Sequence, residues 1–141
     1  MREVLRWPWW FTVLVLGLDL SIVIALWAGL GNNAALSGLI FTLVLSFIFY
    51  RFTSLTIEIE GDLLRVGGAA IENKYLGDVE ILDRLKMQHY MRIGFNPRAF
   101  YAIRFWVKTG VKISIDDVRD PTPFWIVSSK RATEIEALLK N

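Results

Sequence analysis

Three acids close together, Asp116, Asp117 and Asp120, are the residues whose type and spacing come nearest to chemistry in this chain. Carboxylate oxygens so placed could hold a hard cation, but Val118, Arg119 and Pro121 between and beside them do not reproduce the loop spacing of an EF-hand. Turn and cap roles suit them better. The single His89 has no second His and no Cys with which to build a zinc site. Gly67-Gly68 lacks the following Lys-Ser or Lys-Thr of a phosphate loop and lies between two strand-like segments. No nucleophile and base can be paired, so neither an enzyme nor a bound cofactor or metal is expected.

A basic and aromatic cluster is more informative. Arg104, Trp106 and Lys108 alternate with Ile103, Phe105 and Val107, which on a strand places the three on one face. Trp125, Lys130 and Arg131 extend the same character. Such a face could touch an anionic lipid surface, where each Lys or Arg contributes about 1 kcal/mol of attraction, or it could meet a partner protein.

These groups are positioned by two kinds of element. Residues 7–28 and 34–52 form two apolar runs, with Asp19 as the one charge in the first and none in the second before Arg51. At ~1.5 Å per residue each is long enough to cross a ~30 Å hydrocarbon core as a helix. A cleaved secretory signal fits the first run poorly, because the run exceeds the ~7–15 residues of a signal core and a second span follows at once. Arg2, Arg6 and Arg51 flank the pair while the connection Leu30-Gly31-Asn32-Asn33 carries no basic residue. The expected topology is a multi-pass plasma-membrane protein with both termini cytoplasmic.

Small residues recur every fourth position as Gly17, Ser21, Ala25 and Gly29 in the first run and as Ala34, Gly38, Thr42 and Ser46 in the second. Paired antiparallel across the turn, their numbers add to 63 in every pair, which predicts a close small-on-small seam. Asp19 lies roughly 140° from that stripe, on the side of Thr12. A carboxyl facing lipid costs several kcal/mol. The alternatives are a contact within an oligomer, a membrane-protein partner, or a neutral acid bonded to its own helix.

Domain boundaries follow: a transmembrane hairpin over 1–53 and one small domain over 54–141. The latter has 13 Lys and Arg against 12 Asp and Glu with no block of one sign, which argues against a nucleic-acid partner. The lack of Cys suits a reducing compartment. Thr56 to Glu60 alternates, Gly61-Asp62 turns and Leu63 to Val66 returns. Strands are also expected over 69–72, 79–82, 100–107, 111–115 and 124–128, with Lys108-Thr109-Gly110 as a hairpin turn and a helix over 130–140. Residues 83–91 suit a short helix or a loop. The fold class is a membrane α-helical hairpin followed by a small mostly-β domain, a bent antiparallel sheet of six or seven strands closed by a C-terminal helix.

The start Trp7-Pro8-Trp9-Trp10, the segment Val79-Glu80-Ile81-Leu82, the run Arg104 to Val111 and above all Asp120-Pro121-Thr122-Pro123-Phe124-Trp125-Ile126-Val127-Ser128-Ser129-Lys130-Arg131 resemble the actinobacterial domain-of-unknown-function family 3093. The resemblance covers nearly the whole chain. It implies two spanning helices and a cytoplasmic domain of the pleckstrin-homology-like type, and no assigned activity. Lys130 and Ala132 depart from its pattern, which has a small polar residue and proline there. The function implied is a membrane-tethered interaction or scaffold module, with an anionic-lipid headgroup sensor as the alternative and an enzyme or metal-dependent subunit as a third class. The partners are the lipid bilayer and either a second copy or another membrane protein.

Overall fold

Uninterrupted apolar sequence with no helix breaker inside it yields two long helices, α1 (Trp9–Leu30) and α2 (Asn32–Thr53), each of 22 residues. The computed structural model describes residues 1–140. At ~1.5 Å per residue each helix measures about 33 Å, long and apolar enough to cross a membrane. The chain divides into two units, residues 6–54 and residues 1–5 together with the chain from Leu55 onward.

In the first unit Pro8, with its φ of −67° already set by the ring, caps the start of α1. One residue, Gly31, joins the helices at φ 85° and ψ −171°, a conformation that a Cβ would disfavour. Trp27 closes this end by donating its indole N–H to Asn32 Oδ1 at 2.7 Å. At the other end the Trp7 indole donates to Thr53 Oγ1 at 2.6 Å, and its ring meets Phe11 and Tyr50 edge-on.

The packing between the helices corrects the small-on-small seam. On α2 the stripe Ala34, Gly38, Thr42 and Ser46 does turn inward, with Thr42 buried. On α1, however, Gly17, Ser21, Ala25 and Gly29 are exposed, and the inward stripe is Thr12, Val15, Asp19, Val23 and Leu26. Asp19 is only 7% exposed and accepts a hydrogen bond from Ser46 Oγ at 2.9 Å. The physical reason is the one acid in the unit, which by facing inward meets the Ser46 hydroxyl as a donor. Turning Asp19 inward rotates the whole of α1, and bulkier side chains then fill the groove that the small residues of α2 leave.

The second unit is built from two four-stranded sheets. The first is an antiparallel meander of β1 (Arg2–Leu5), β2 (Leu55–Glu60), β3 (Leu63–Val66) and β4 (Ala69–Glu72). Leu55, Ile57 and Ile59 point inward while Thr56 and Glu58 are half-buried, the alternation that a two-faced strand requires. The turns between strands use Gly61 (φ 54°) and Gly67 (φ 60°). The second sheet has the order β5, β7, β8, β6, formed by β5 (Leu76–Leu82), β6 (Phe100–Ala102), β7 (Gly110–Ile115) and β8 (Phe124–Ser128). Its strands pair antiparallel except β6, which runs parallel to β8. The core joins both sheets, with Ile57, Leu64 and Val66 from one, Val111, Ile113 and Val127 from the other, and Ile135 from α4 (Ala132–Leu139).

Three expectations are revised here. Residues 2–5 form a strand of the β unit, because Glu3 and Leu5 alternate inward against Arg2 and Val4 and pair in register with β2. The hairpin unit therefore runs from Arg6 to Ser54 rather than over 1–53. The strand expected over 100–107 stops at Ala102: the Arg104 N–H leaves the ladder for Ser128 Oγ (3.0 Å), and Val107 N–H closes a turn on the Arg104 carbonyl (2.9 Å). Gly110 is not a turn residue but the buried first residue of β7, where the Val127 carbonyl and the Met87 methyl occupy the space of a Cβ. Residues 84–92, ambiguous in sequence, form α3 (Arg84–Arg92), started by Asp83 whose carboxylate accepts the Lys86 N–H at 2.8 Å.

Candidate functional site

The loss of strand character after Ala102 takes apart the basic aromatic face. Trp125, on β8, is 6% exposed and packs in the core with its ring 4.8 Å from that of Phe100. Trp106 is half-buried against the same core. Lys130 and Arg131 are exposed at the entry to α4, where Arg131 pairs with Glu134. The face expected from a period of two is thus divided, because a turn replaces the strand that would have aligned it.

Arg104 and Lys108 instead meet a different set of residues. The turn over 103–108 lies beside α3, and the two enclose a cleft of about 420 Å³. Helical spacing brings Arg84, Gln88 and Arg92 to the cleft side of α3 while Met87, buried, anchors the helix to the second sheet. The cleft floor is apolar, made by Met87, Met91, Ile103, Phe105 and Val107. Its charged lining is Arg84, Arg92, Arg104 and Lys108, with no acid. Burial pulls the Arg104 guanidinium below its ordinary pKa, and its Nη1 donates to the Ile103 carbonyl at 2.8 Å. Arg84, Arg92 and Lys108 enter none of the ion pairs among the described residues, whereas the neighbouring Lys86 is paired with Glu80 at 2.7 Å. The alternation of Arg84, Gln88 and Arg92 every fourth residue was visible in sequence, but without a settled helix it had no face to belong to.

Of the three acids, Asp117 and Asp120 take turn roles, while the Asp116 N–H donates to the Tyr75 carbonyl. Asp117 Oδ1 accepts the Arg119 N–H at 2.9 Å and Asp120 Oδ1 accepts the Thr122 N–H at 2.9 Å. Those bonds from Arg119, first its amide and then its guanidinium, hold the Asp117 carboxyl below the usual carboxylate range. Asp117 and Asp120 also border a smaller cleft of about 280 Å³ with Glu72, Tyr75 and Trp125. No group of three His, Cys, Asp or Glu side chains able to hold a metal occurs among the described residues. His89 is exposed with its ring against Tyr90, 5.8 Å between centroids.

A buried acid escaped the sequence reading. Glu3 is 7% exposed, and its carboxylate accepts the Ser129 hydroxyl at 2.5 Å and the Lys130 N–H at 2.9 Å. It fastens β1 to the segment that starts α4. The signal was the inward phase of Glu3 with Leu5, which becomes visible only once residues 2–5 are read as a strand.

The family model of a protein of unknown function, DUF3093, matches residues 1–139. No curated protein and no solved structure matches the chain. The matched span includes β1, both long helices, the cleft beside α3 and all of α4. With the whole architecture inside that span, the chain belongs to the DUF3093 family.

Proposed function

We propose that this protein is a membrane-anchored binding module without catalytic activity, in which the α1–α2 hairpin spans the plasma membrane and the β unit works at the cytoplasmic surface. The observation that carries the reading is the hairpin itself. Two 22-residue helices expose nearly all of their Leu, Ile, Val and Phe side chains and bury between them an acid and a threonine. So much outward apolar surface is stable in lipid and costly in water. Arg2, Arg6 and Arg51 at one end, against none in the Gly31 connection, support the cytoplasmic placement. The β1–β2 ladder supports a hairpin whose two ends leave the bilayer on the same side. Two small sheets with α4 packed on β5 and β7 support a domain of the pleckstrin-homology-like type.

A second reading, recognition of an anionic headgroup, is favoured by the cationic cleft beside α3 rather than by the face expected from sequence. The anchor is tested first. The chain has no Cys, so single cysteines at Asn33 and Glu60 report position cleanly. Asn33→Cys is expected to react with an impermeant maleimide on intact cells, and Glu60→Cys only after permeabilisation, with the protein resisting alkaline carbonate extraction. Extraction by carbonate, or labelling of both positions from the same side, overturns the reading.

A further inference from the structure

The cleft between α3 and residues 103–108 carries the strongest unassigned chemistry in the molecule. Four cations converge on it with no acid in its lining, and three of them, Arg84, Arg92 and Lys108, lie outside every ion pair of the described residues. Arg84, Arg92 and Lys108, gathered outside those ion pairs, repel one another, and an anion in their midst relieves that repulsion. Arginine in particular presents paired N–H donors that match phosphate oxygens. The floor is of the opposite character. Phe105 and Met91 lie 61% and 49% exposed within the lining, and a bare inorganic anion would leave that apolar surface in water.

Volume and surroundings narrow the ligand further. About 420 Å³ exceeds what one phosphate fills and falls in the range of small-molecule sites, ~300–1,000 Å³. Outside the lining, Leu85 on α3 and Ile93 and Phe95 just after it are 74%, 84% and 57% exposed. Phosphate-binding cations over an apolar floor match the two halves of one amphiphilic molecule.

We infer that this cleft binds the phosphate-bearing headgroup of a single anionic phospholipid, with Arg84, Arg92, Arg104 and Lys108 on the phosphate and Met91 and Phe105 against the glycerol and first acyl carbons. The identity of the source as lipid rests on the membrane-anchor reading: Ser54 alone separates α2 from β2, so a phospholipid is the amphiphilic anion held at high effective concentration. The cleft chemistry itself does not rest on it.

The test uses the full chain purified in a neutral maltoside detergent and titrated with dioctanoyl phosphatidylglycerol, dioctanoyl phosphatidylcholine or inorganic phosphate, with bound lipid counted by native mass spectrometry. Phosphatidylglycerol is expected to bind one to one, at least tenfold more tightly than phosphatidylcholine or phosphate. The double variant Arg84→Glu/Lys108→Glu should lose tenfold or more of that affinity at an unchanged melting temperature. Both positions are exposed, and a glutamate in the first turn of α3 favours the helix, so the variant separates binding from folding. Arg65→Glu, on β3 and away from the cleft, should bind as the unaltered chain does. Equal phosphatidylglycerol affinity in the double variant overturns the site. Phosphate binding as tightly as the lipid assigns the cleft to a free anion, and displacement of the lipid by an oligoglutamate peptide at equal concentration assigns it to an acidic protein partner; either result overturns the lipid. Failure of the anchor would show in the cysteine labelling and leave this titration unaffected.

Discussion

Leu26 of α1 occupies the notch that Gly38 leaves in α2, its Cδ1 standing where a Cβ at position 38 would have to go. Gly38→Ala therefore forces the helices apart or Leu26 off its rotamer, at about 1–3 kcal/mol. The expected result is a lower melting temperature in detergent, largely restored when Leu26→Ala is added. A Gly38→Ala variant as stable as the parent would contradict the packing.

The Asp19–Ser46 hydrogen bond lies inside the hairpin, so it no longer calls for a second chain to satisfy the acid. Asp19→Asn should keep most of the contact and Asp19→Leu should lose it. In a double-mutant cycle with Ser46→Ala the coupling should fall near ~0.6–2 kcal/mol, the range of hydrogen bonds in lipid. Zero coupling would show that the two side chains do not act together.

Glu3 ties β1 to Ser129 and Lys130, and removing a buried charged acceptor leaves two donors without it. Glu3→Ala should cost about 1.5–3 kcal/mol per lost charge-assisted bond. Hydrogen exchange should quicken in residues 2–5 and at the amide of Lys130 before it does in β7. Uniform protection in the variant would sink the latch.

At Gly110 the Val127 carbonyl and Met87 approach so closely that no side chain fits. Since the obstruction is partly backbone, Gly110→Ala should disturb the β7–β8 ladder and destabilise the unit by more than an ordinary overpacking change, about 3 kcal/mol or above. Far-UV and thermal unfolding data resolve this, and a native melting profile would refute it.

Arg119 holds the Asp117 carboxyl below the usual range through its amide first and its guanidinium second. An unfolded Asp ionises near ~3.9. The contribution to stability is therefore complete above that value and disappears as the pH falls through the lower folded pKa. Arg119→Ala should raise the Asp117 titration midpoint in carbon-detected NMR; an unmoved midpoint would show that the backbone bond alone sets it.

How far the sequence could be read depended on whether a signal was local. Thr56 to Val66 announces a hairpin by alternation and by Gly61, both local, and the structure repeats it. The long apolar runs are equally local. Asp19 could not be oriented from its own helix, because the small-residue stripe and the carboxyl make opposite demands and the hydroxyl that decides between them, Ser46, lies 27 residues away. The stretch from Arg104 to Val107 alternates as a strand would, yet Ser128 takes the Arg104 N–H from across the fold. The same misreading hid the cleft, since Arg104 and Lys108 join Arg84 and Arg92 only through that turn.

The pairing of β1 with β2 closes over residues 6–54, and this sets an order of events during synthesis. The ribosome releases β1 first, but its ladder partner emerges only after both apolar helices have been made. Until then β1 is an orphan strand, and the bonds of Glu3 to Ser129 and Lys130 form later still. Without β1 the edge of β2 would keep its unpaired backbone groups. Completion of the sheet therefore requires the two ends of the segment 6–54 to return to one another.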